Sequence, residues 1–99
     1  MKTVQDILYK VSVEGVLGTT SNTVSGIYFD SRDVRIDSLY VAQKGEQFDG
    51  HDFISQAINN GAKTIVCEEF PDFLIEGIVY VLVLNSSKAL GIIAANFYD

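Results

Sequence analysis

The stretch Gly26–Phe53, GIYFDSRDVRIDSLYVAQKGEQFDGHDF, decides the fold. It holds two apolar runs with strand character, Ile27–Phe29 and Leu39–Ala42. Two polar loops lie between and after them. The first opens Asp30-Ser31-Arg32, and the second reads Lys44-Gly45-Glu46-Gln47-Phe48-Asp49-Gly50-His51. A helical segment, Asp52–Asn60, follows at once. Its Phe53, Ile54, Ala57 and Ile58 are spaced to face inward, and Gly61 stops it in a left-handed cap. Polar groups gathered where strands end and a helix begins are a common way to build a ligand site in an α/β domain.

Working outward, Thr3 is placed to cap a first helix, Val4–Val11, with Val4, Ile7, Leu8 and Val11 on one face. Asp6 sits in its first turn, where the helix dipole favours a carboxylate. Val13–Leu17 reads as a short strand weakened by Gly15 and Gly18, Thr19–Thr23 as a polar turn, and Val24–Phe29 as a weakly alternating strand. Ser31–Ser38 is a loop, and Asp37 stands at its bend because Asp tolerates unusual turn dihedrals. Thr64–Cys67 is a continuous apolar run, as in a buried strand. Glu68–Glu76 is a loop, and Ile78–Leu84, the most hydrophobic run, is expected as a central strand. Ser86 or Ser87 caps a last helix, Lys88–Phe97, whose stripe is Leu90, Ile93, Ala94 and Phe97. The order is helix, strands, helix, strand, strand, helix. It predicts a small α/β domain with a mixed, largely parallel sheet flanked by helices. Because the sequence stops directly after a helix, it is expected to be a domain of a longer protein.

Composition excludes several functions. Ninety-nine residues make one small domain, and a 47% hydrophobic content makes it a globular one. The net charge is -6 and the seven Lys and Arg are scattered, which argues against nucleic acid as a partner. No apolar stretch is long enough for a membrane span. The one cysteine, Cys67, follows Ile65-Val66 and reads as a small core residue. It cannot form an internal disulfide, which fits a reducing compartment; with no secretion signal, the expected location is cytoplasmic. There is no Gly-rich loop ending in Lys-Ser or Lys-Thr, so no ATP site of that kind. One His and one Cys do not make a zinc site of the usual sort. Ser31, His51 and an Asp lack the strained turn of a hydrolase nucleophile. By itself the chain reads as a binding domain with no metal and no cofactor of its own.

Individual residues carry two readings each. The Ser31 hydroxyl can both donate and accept toward a ligand, or it can cap its own loop. Arg32 can reach a phosphate or pair with Asp30 or Asp49, and the pairing is preferred. Asp49 caps the following helix, beside which an anion is welcome. Phe48 stacks on a base or covers the core. His51 is read as a surface residue at a helix start, Lys44 as a solvated charge, and Tyr28 and Tyr40 as packing residues.

The residues Asp30-Ser31-Arg32, Leu39-Tyr40-Val41-Ala42, Gly45 and Asp49-Gly50-His51-Asp52-Phe53 together resemble the N-terminal domain of the Mur ligases of peptidoglycan synthesis. Ala57-Ile58, Gly61-Ala62, Ile65-Val66-Cys67-Glu68 and Ala94 with Asn96-Phe97-Tyr98 extend the resemblance over most of the chain. It implies a domain that holds the UDP portion of a UDP-N-acetylmuramoyl-dipeptide. Ser31 matches the motif serine that contacts UDP, and Phe29 the apolar position before it. Glu46, Gln47 and Phe48 match the short run that meets the nucleotide. The resemblance further implies a central ATPase domain and a C-terminal domain of the same protein, with ATP and Mg2+ bound outside this chain. There ATP would phosphorylate the substrate's carboxylate, and an amine would attack the acyl phosphate. Within the family the best fit is the ligase adding the third peptide residue, meso-diaminopimelate or L-lysine, to UDP-N-acetylmuramoyl-L-alanyl-D-glutamate. The branch adding D-alanyl-D-alanine is the nearest alternative, and a non-catalytic α/β interaction module is the alternative of another class. One departure stands out: Ile36-Asp37 replaces the Pro-Gly common in the family before the second strand.

Overall fold

A computed structural model describes all 99 residues. In chain order the elements are α1 (Val4–Ile7), β1 (Val13–Leu17), β2 (Ile27–Tyr28), β3 (Leu39–Val41), α2 (Ile54–Asn59), β4 (Thr64–Cys67), β5 (Val79–Val83) and α3 (Ser86–Tyr98). Short 3-10 turns, Ser31–Asp33 and Gly50–Phe53, precede β3 and α2. The five strands form one sheet in the order β1-β5-β4-β3-β2. Strands β2 to β5 run parallel, and β1 is added antiparallel to β5 at one edge. This is the mixed, largely parallel sheet that the order of elements predicts.

Alternation along the strands sorts the core into two layers. Leu39, Val41, Val66, Val79, Val81 and Val83 face α1 and α3, meeting Val4, Ile7, Ala89 and Ile93. Tyr40, Ile65, Cys67 and Tyr80 face the other way, against Ile54, Ala57 and Ala62 around α2. With both faces covered, β4 is buried at every residue. That is why its sequence shows an unbroken apolar run with no alternation.

Several element boundaries differ from the sequence reading. Thr3 and Asp6 form a reciprocal capping box, each side chain accepting the other's backbone N–H at 3.2 and 3.0 Å. Helix α1 nevertheless ends at Ile7, short of Val11. Asn96 of α3 donates to the carbonyls of Ile7 and Tyr9 at 2.7 Å each, and Lys10 turns into the left-handed region at φ 65°. At α3 the cap is Asn85, whose Oδ1 accepts the Lys88 N–H at 3.0 Å. Ser86 is buried instead, and its N–H is donated to the Glu68 carboxylate at 2.8 Å. The strand expected at the centre, β5, lies between β1 and β4, one place from the middle. Phe53 does not turn inward. The chain there is still in the 3-10 turn, and the ring stays on the surface.

The bend before β3 carries the expected strain. Asp37 has φ 62°, and its N–H donates to the Gly61 carbonyl at 2.8 Å. Gly61 itself sits at φ 119°, and a Cβ there would come 2.7 Å from the Ile36 Cα. Both the dihedral and the close approach call for glycine. Gly61→Ala is therefore expected to cost about 1–3 kcal/mol of stability, read from urea denaturation midpoints. A midpoint equal to that of the wild type would contradict this account of the bend.

Candidate functional site

The loops leaving the C-terminal ends of β2 and β3 enclose a cleft of about 490 Å³. Phe29, Asp30, Ser31 and Arg32 line it from the first loop, and Gln43, Gly45, Phe48 and Gly50 from the second. Tyr40 forms part of its wall, with Phe53 and Gln56 completing it on the helical side. Ligands of parallel sheets settle in this position, because the loops there are free to vary while the strands hold them.

The first loop is built by Asp30. Its Oδ1 accepts the Arg32 backbone N–H at 3.0 Å and starts the 3-10 turn. The same carboxylate takes the Arg32 guanidinium on both oxygens, at 3.0 and 2.7 Å. This fork, followed by the Arg32 N–H, holds the Asp30 carboxyl down at about 2. The pairing preferred from sequence is the one observed, and the partner is Asp30. The Arg32 side chain stays 79% exposed, so three of its five donors are left for a ligand.

Ser31 is buried beneath this turn. Its Oγ donates to Gln56 Oε1 at 2.7 Å, and its carbonyl accepts from Asn60 Nδ2 at 2.8 Å. The hydroxyl thus fastens the first loop to α2. Its two lone pairs stay open, and the Gln56 amide keeps its own donors.

The second loop closes on itself. Gly45 donates to the Phe48 carbonyl at 2.8 Å, and Gly50 to the Gln43 carbonyl at 2.6 Å. The Tyr40 hydroxyl donates to the Gly50 carbonyl at 2.8 Å. Burial, with the negative charges of Asp30 and Asp49 adding to it, pushes that phenol up to about 12. Asp49 caps the 3-10 turn, accepting the His51 N–H at 2.9 Å. That bond, followed by the imidazole, holds the Asp49 carboxyl below the usual range. The cap expected for the following helix thus serves the 3-10 turn before it, and α2 itself, with Phe53 at its N-cap position, has no side-chain cap.

Of the residues picked out from sequence, Phe29, Ser31 and Phe48 are brought together on the cleft. Glu46 and Gln47 are exposed at the tip of the second loop and do not line it. Sequence reasoning passed over Phe53, Gln56 and Gln43. Phe53 has the pattern of a core position, and the two glutamines carry no signal beyond polarity. Exposures of 62% for Phe29, 71% for Phe48 and 38% for Phe53 leave three aromatic rings around a polar floor. This arrangement suits a flat, partly polar ligand. The triad drawn from sequence is excluded by position: Ser31 bonds to Gln56, and His51 to Asp49 and the Glu68 backbone. No three His, Cys, Asp or Glu side chains are grouped as a metal site. Cys67 is fully buried, and burial pushes its thiol up to about 11, so it stays an unreactive core residue. No helix is long and apolar enough to cross a membrane.

A family model described as "Mur ligase family, catalytic domain" matches residues 23–98. The UDP-N-acetylmuramoyl-L-alanyl-D-glutamate--2,6-diaminopimelate ligase of Cytophaga hutchinsonii is 43% identical over 97 residues, covering 97% of this chain and 20% of that enzyme. The ligase of the same name from Phocaeicola vulgatus is 39% identical over 94 residues, covering 95% and 19%. The chain thus spans about a fifth of the length of these curated relatives. Among solved structures, the UDP-N-acetylmuramoylalanyl-D-glutamyl-2,6-diaminopimelate--D-alanyl-D-alanyl ligase of Acinetobacter baumannii superposes with a TM-score of 0.79 at 27% identity. That match covers 95% of this chain and 21% of the other. The MurF ligase of Thermotoga maritima, solved with ADP, gives a TM-score of 0.60 at 37% identity over 69% of this chain and 15% of its own.

The Asp30–Arg32 fork makes a prediction of its own. A carboxyl held down at about 2 contributes fully above the ordinary carboxylate range, and its contribution is lost as pH falls toward 2. Arg32→Gln should return the Asp30 titration, followed by carboxyl 13C NMR, toward 3.8, the value of an unpaired aspartate. A midpoint that stays near 2 in the variant would show that the backbone N–H alone holds the carboxylate.

Proposed function

The chain belongs to the Mur ligase family, and from that membership we propose that it is the N-terminal, nucleotide-sugar-binding domain of the ligase that adds the third peptide residue. The ligand is the UDP portion of UDP-N-acetylmuramoyl-L-alanyl-D-glutamate. The observation that carries this reading is the aromatic-rimmed cleft over Ser31 and Gln56. A uracil ring offers flat faces to Phe29 and Phe48, its N–H to the Ser31 oxygen and a carbonyl to the Gln56 amide donors. The free donors of Arg32 suit the diphosphate. Glu46 and Gln47 would take part through the loop they belong to, reaching a ligand that extends beyond the cleft.

Identities of 43% and 39% to diaminopimelate-adding ligases, over 97% and 95% of the chain, favour the first branch and diaminopimelate as the incoming amine. In the full-length enzyme ATP and Mg2+ belong to a central domain outside this chain, and the C-terminal domain selects the amino acid. This chain contributes binding and orientation: it fixes the nucleotide end, so that the dipeptide carboxylate is presented to chemistry performed elsewhere. The setting is the cytoplasm, where nucleotide-activated sugars are made.

An NMR titration of the 15N-labelled chain with UDP-N-acetylmuramoyl-L-alanyl-D-glutamate, UDP and ADP tests the reading. Saturable shifts are expected at Phe29–Arg32 and Gly45–His51, reproduced in part by UDP and not by ADP. Ser31→Ala is expected to stay folded and to weaken UDP binding about tenfold, the worth of one hydrogen bond in a dry site. No shifts at millimolar ligand, equal shifts with ADP, or an unchanged dissociation constant in the variant would count against the assignment.

A further inference from the structure

His51 is the chain's only histidine, and the nucleotide reading gives it nothing to do. It was expected on the surface, yet its side chain is only 13% exposed and both ring nitrogens are engaged. Nε2 accepts the Glu68 backbone N–H at 2.8 Å. An amide N–H can only donate, so Nε2 carries no proton. The proton of the neutral ring is then on Nδ1, which lies 2.7 Å from Asp49 Oδ1 and donates to it. Both partners and both distances select this one tautomer.

The two partners belong to different parts of the fold. Asp49 closes the second loop: its backbone forms an antiparallel β-bridge with that of Lys44, and inside that bridge Gly45 donates to the Phe48 carbonyl. Phe48 stands on the cleft. Glu68 directly follows β4, the middle strand, and its carboxylate accepts the Ser86 N–H in the first turn of α3 at 2.8 Å. The imidazole therefore spans from an exposed loop to the most deeply buried strand. We propose that His51 is a positioning residue for the nucleotide cleft: its neutral Nδ1–H form pins the Gly45–Phe48 wall to the end of β4. The effect on ligand affinity rests on the nucleotide-sugar reading, whereas the grip on the loop does not.

Two variants separate the halves of the pin. His51→Asn keeps a donor for Asp49 and offers nothing to Glu68. His51→Gln reaches far enough to present its Oε1 to the Glu68 N–H. In the wild-type chain, 15N NMR should report a protonated Nδ1, an unprotonated Nε2, and a through-hydrogen-bond 15N–15N coupling between Nε2 and the Glu68 amide. His51→Asn should speed hydrogen exchange at Glu68 and Gly45 and weaken UDP binding about tenfold. His51→Gln should recover about threefold or more of that loss. Should His51→Asn fail to fold, the tautomer and the coupling of the wild type still decide the matter. An Nε2–H tautomer, or wild-type protection of Glu68 in His51→Asn, would overturn the pin. A wild-type chain that shows the coupling but no saturable UDP shifts upholds the pin and overturns the nucleotide reading instead.

Discussion

Everything in this fold depends on burying β4 from both sides. Thr64, Ile65, Val66 and Cys67 are all out of water, with α1 and α3 over one face and the α2 layer over the other. A parallel strand can be held this way only if helices cross over both faces, and the crossovers leave loops at the C-terminal ends of the strands. The cleft is the consequence. It lies where β2 and β3 hand over to their loops, on the edge of the sheet away from antiparallel β1.

The loops that form the cleft are short of core and rely on polar fastening. Asp30 binds Arg32, Ser31 binds Gln56, Tyr40 binds Gly50, and His51 joins Asp49 to Glu68. No buried side-chain nitrogen or oxygen lacks a partner, so these fastenings carry no desolvation debt. The exposed ion pair of Asp30 and Arg32 adds little to global stability. Its role is local: it sets the turn that carries Ser31. Loops fastened in advance around a cleft cost less ordering when a ligand arrives; under the proposed function, this offsets the lack of a basic patch in a small acidic domain.

The fold was legible in the sequence where burial or backbone strain leaves a strong mark. The Thr64–Cys67 run, the glycine stop at Gly61, the Thr3 cap and the Asp37 bend all stand as read. The misread boundaries have a common cause, since tertiary partners decided them. Asn96 ends α1 from a distance of nearly ninety positions in sequence, and the Glu68 carboxylate draws Ser86 into the core and leaves the cap to Asn85. The site was partly legible. Phe29, Ser31 and Phe48 sit in motifs short enough to recognise. Gln56 and His51 owe their roles to Ser31 and Glu68, 25 and 17 positions away, and local pattern carries no trace of such pairings.

The central claim is that the cleft between the first and second loops is the uridine-nucleotide site. Intermolecular NOEs in the UDP-saturated chain test it most directly. The account predicts contacts from the uracil ring protons to the side chains of Phe29, Ser31 and Phe48. Contacts instead to the exposed apolar loop at Phe73–Ile75, or a saturated complex whose uracil touches none of the cleft residues, would contradict it.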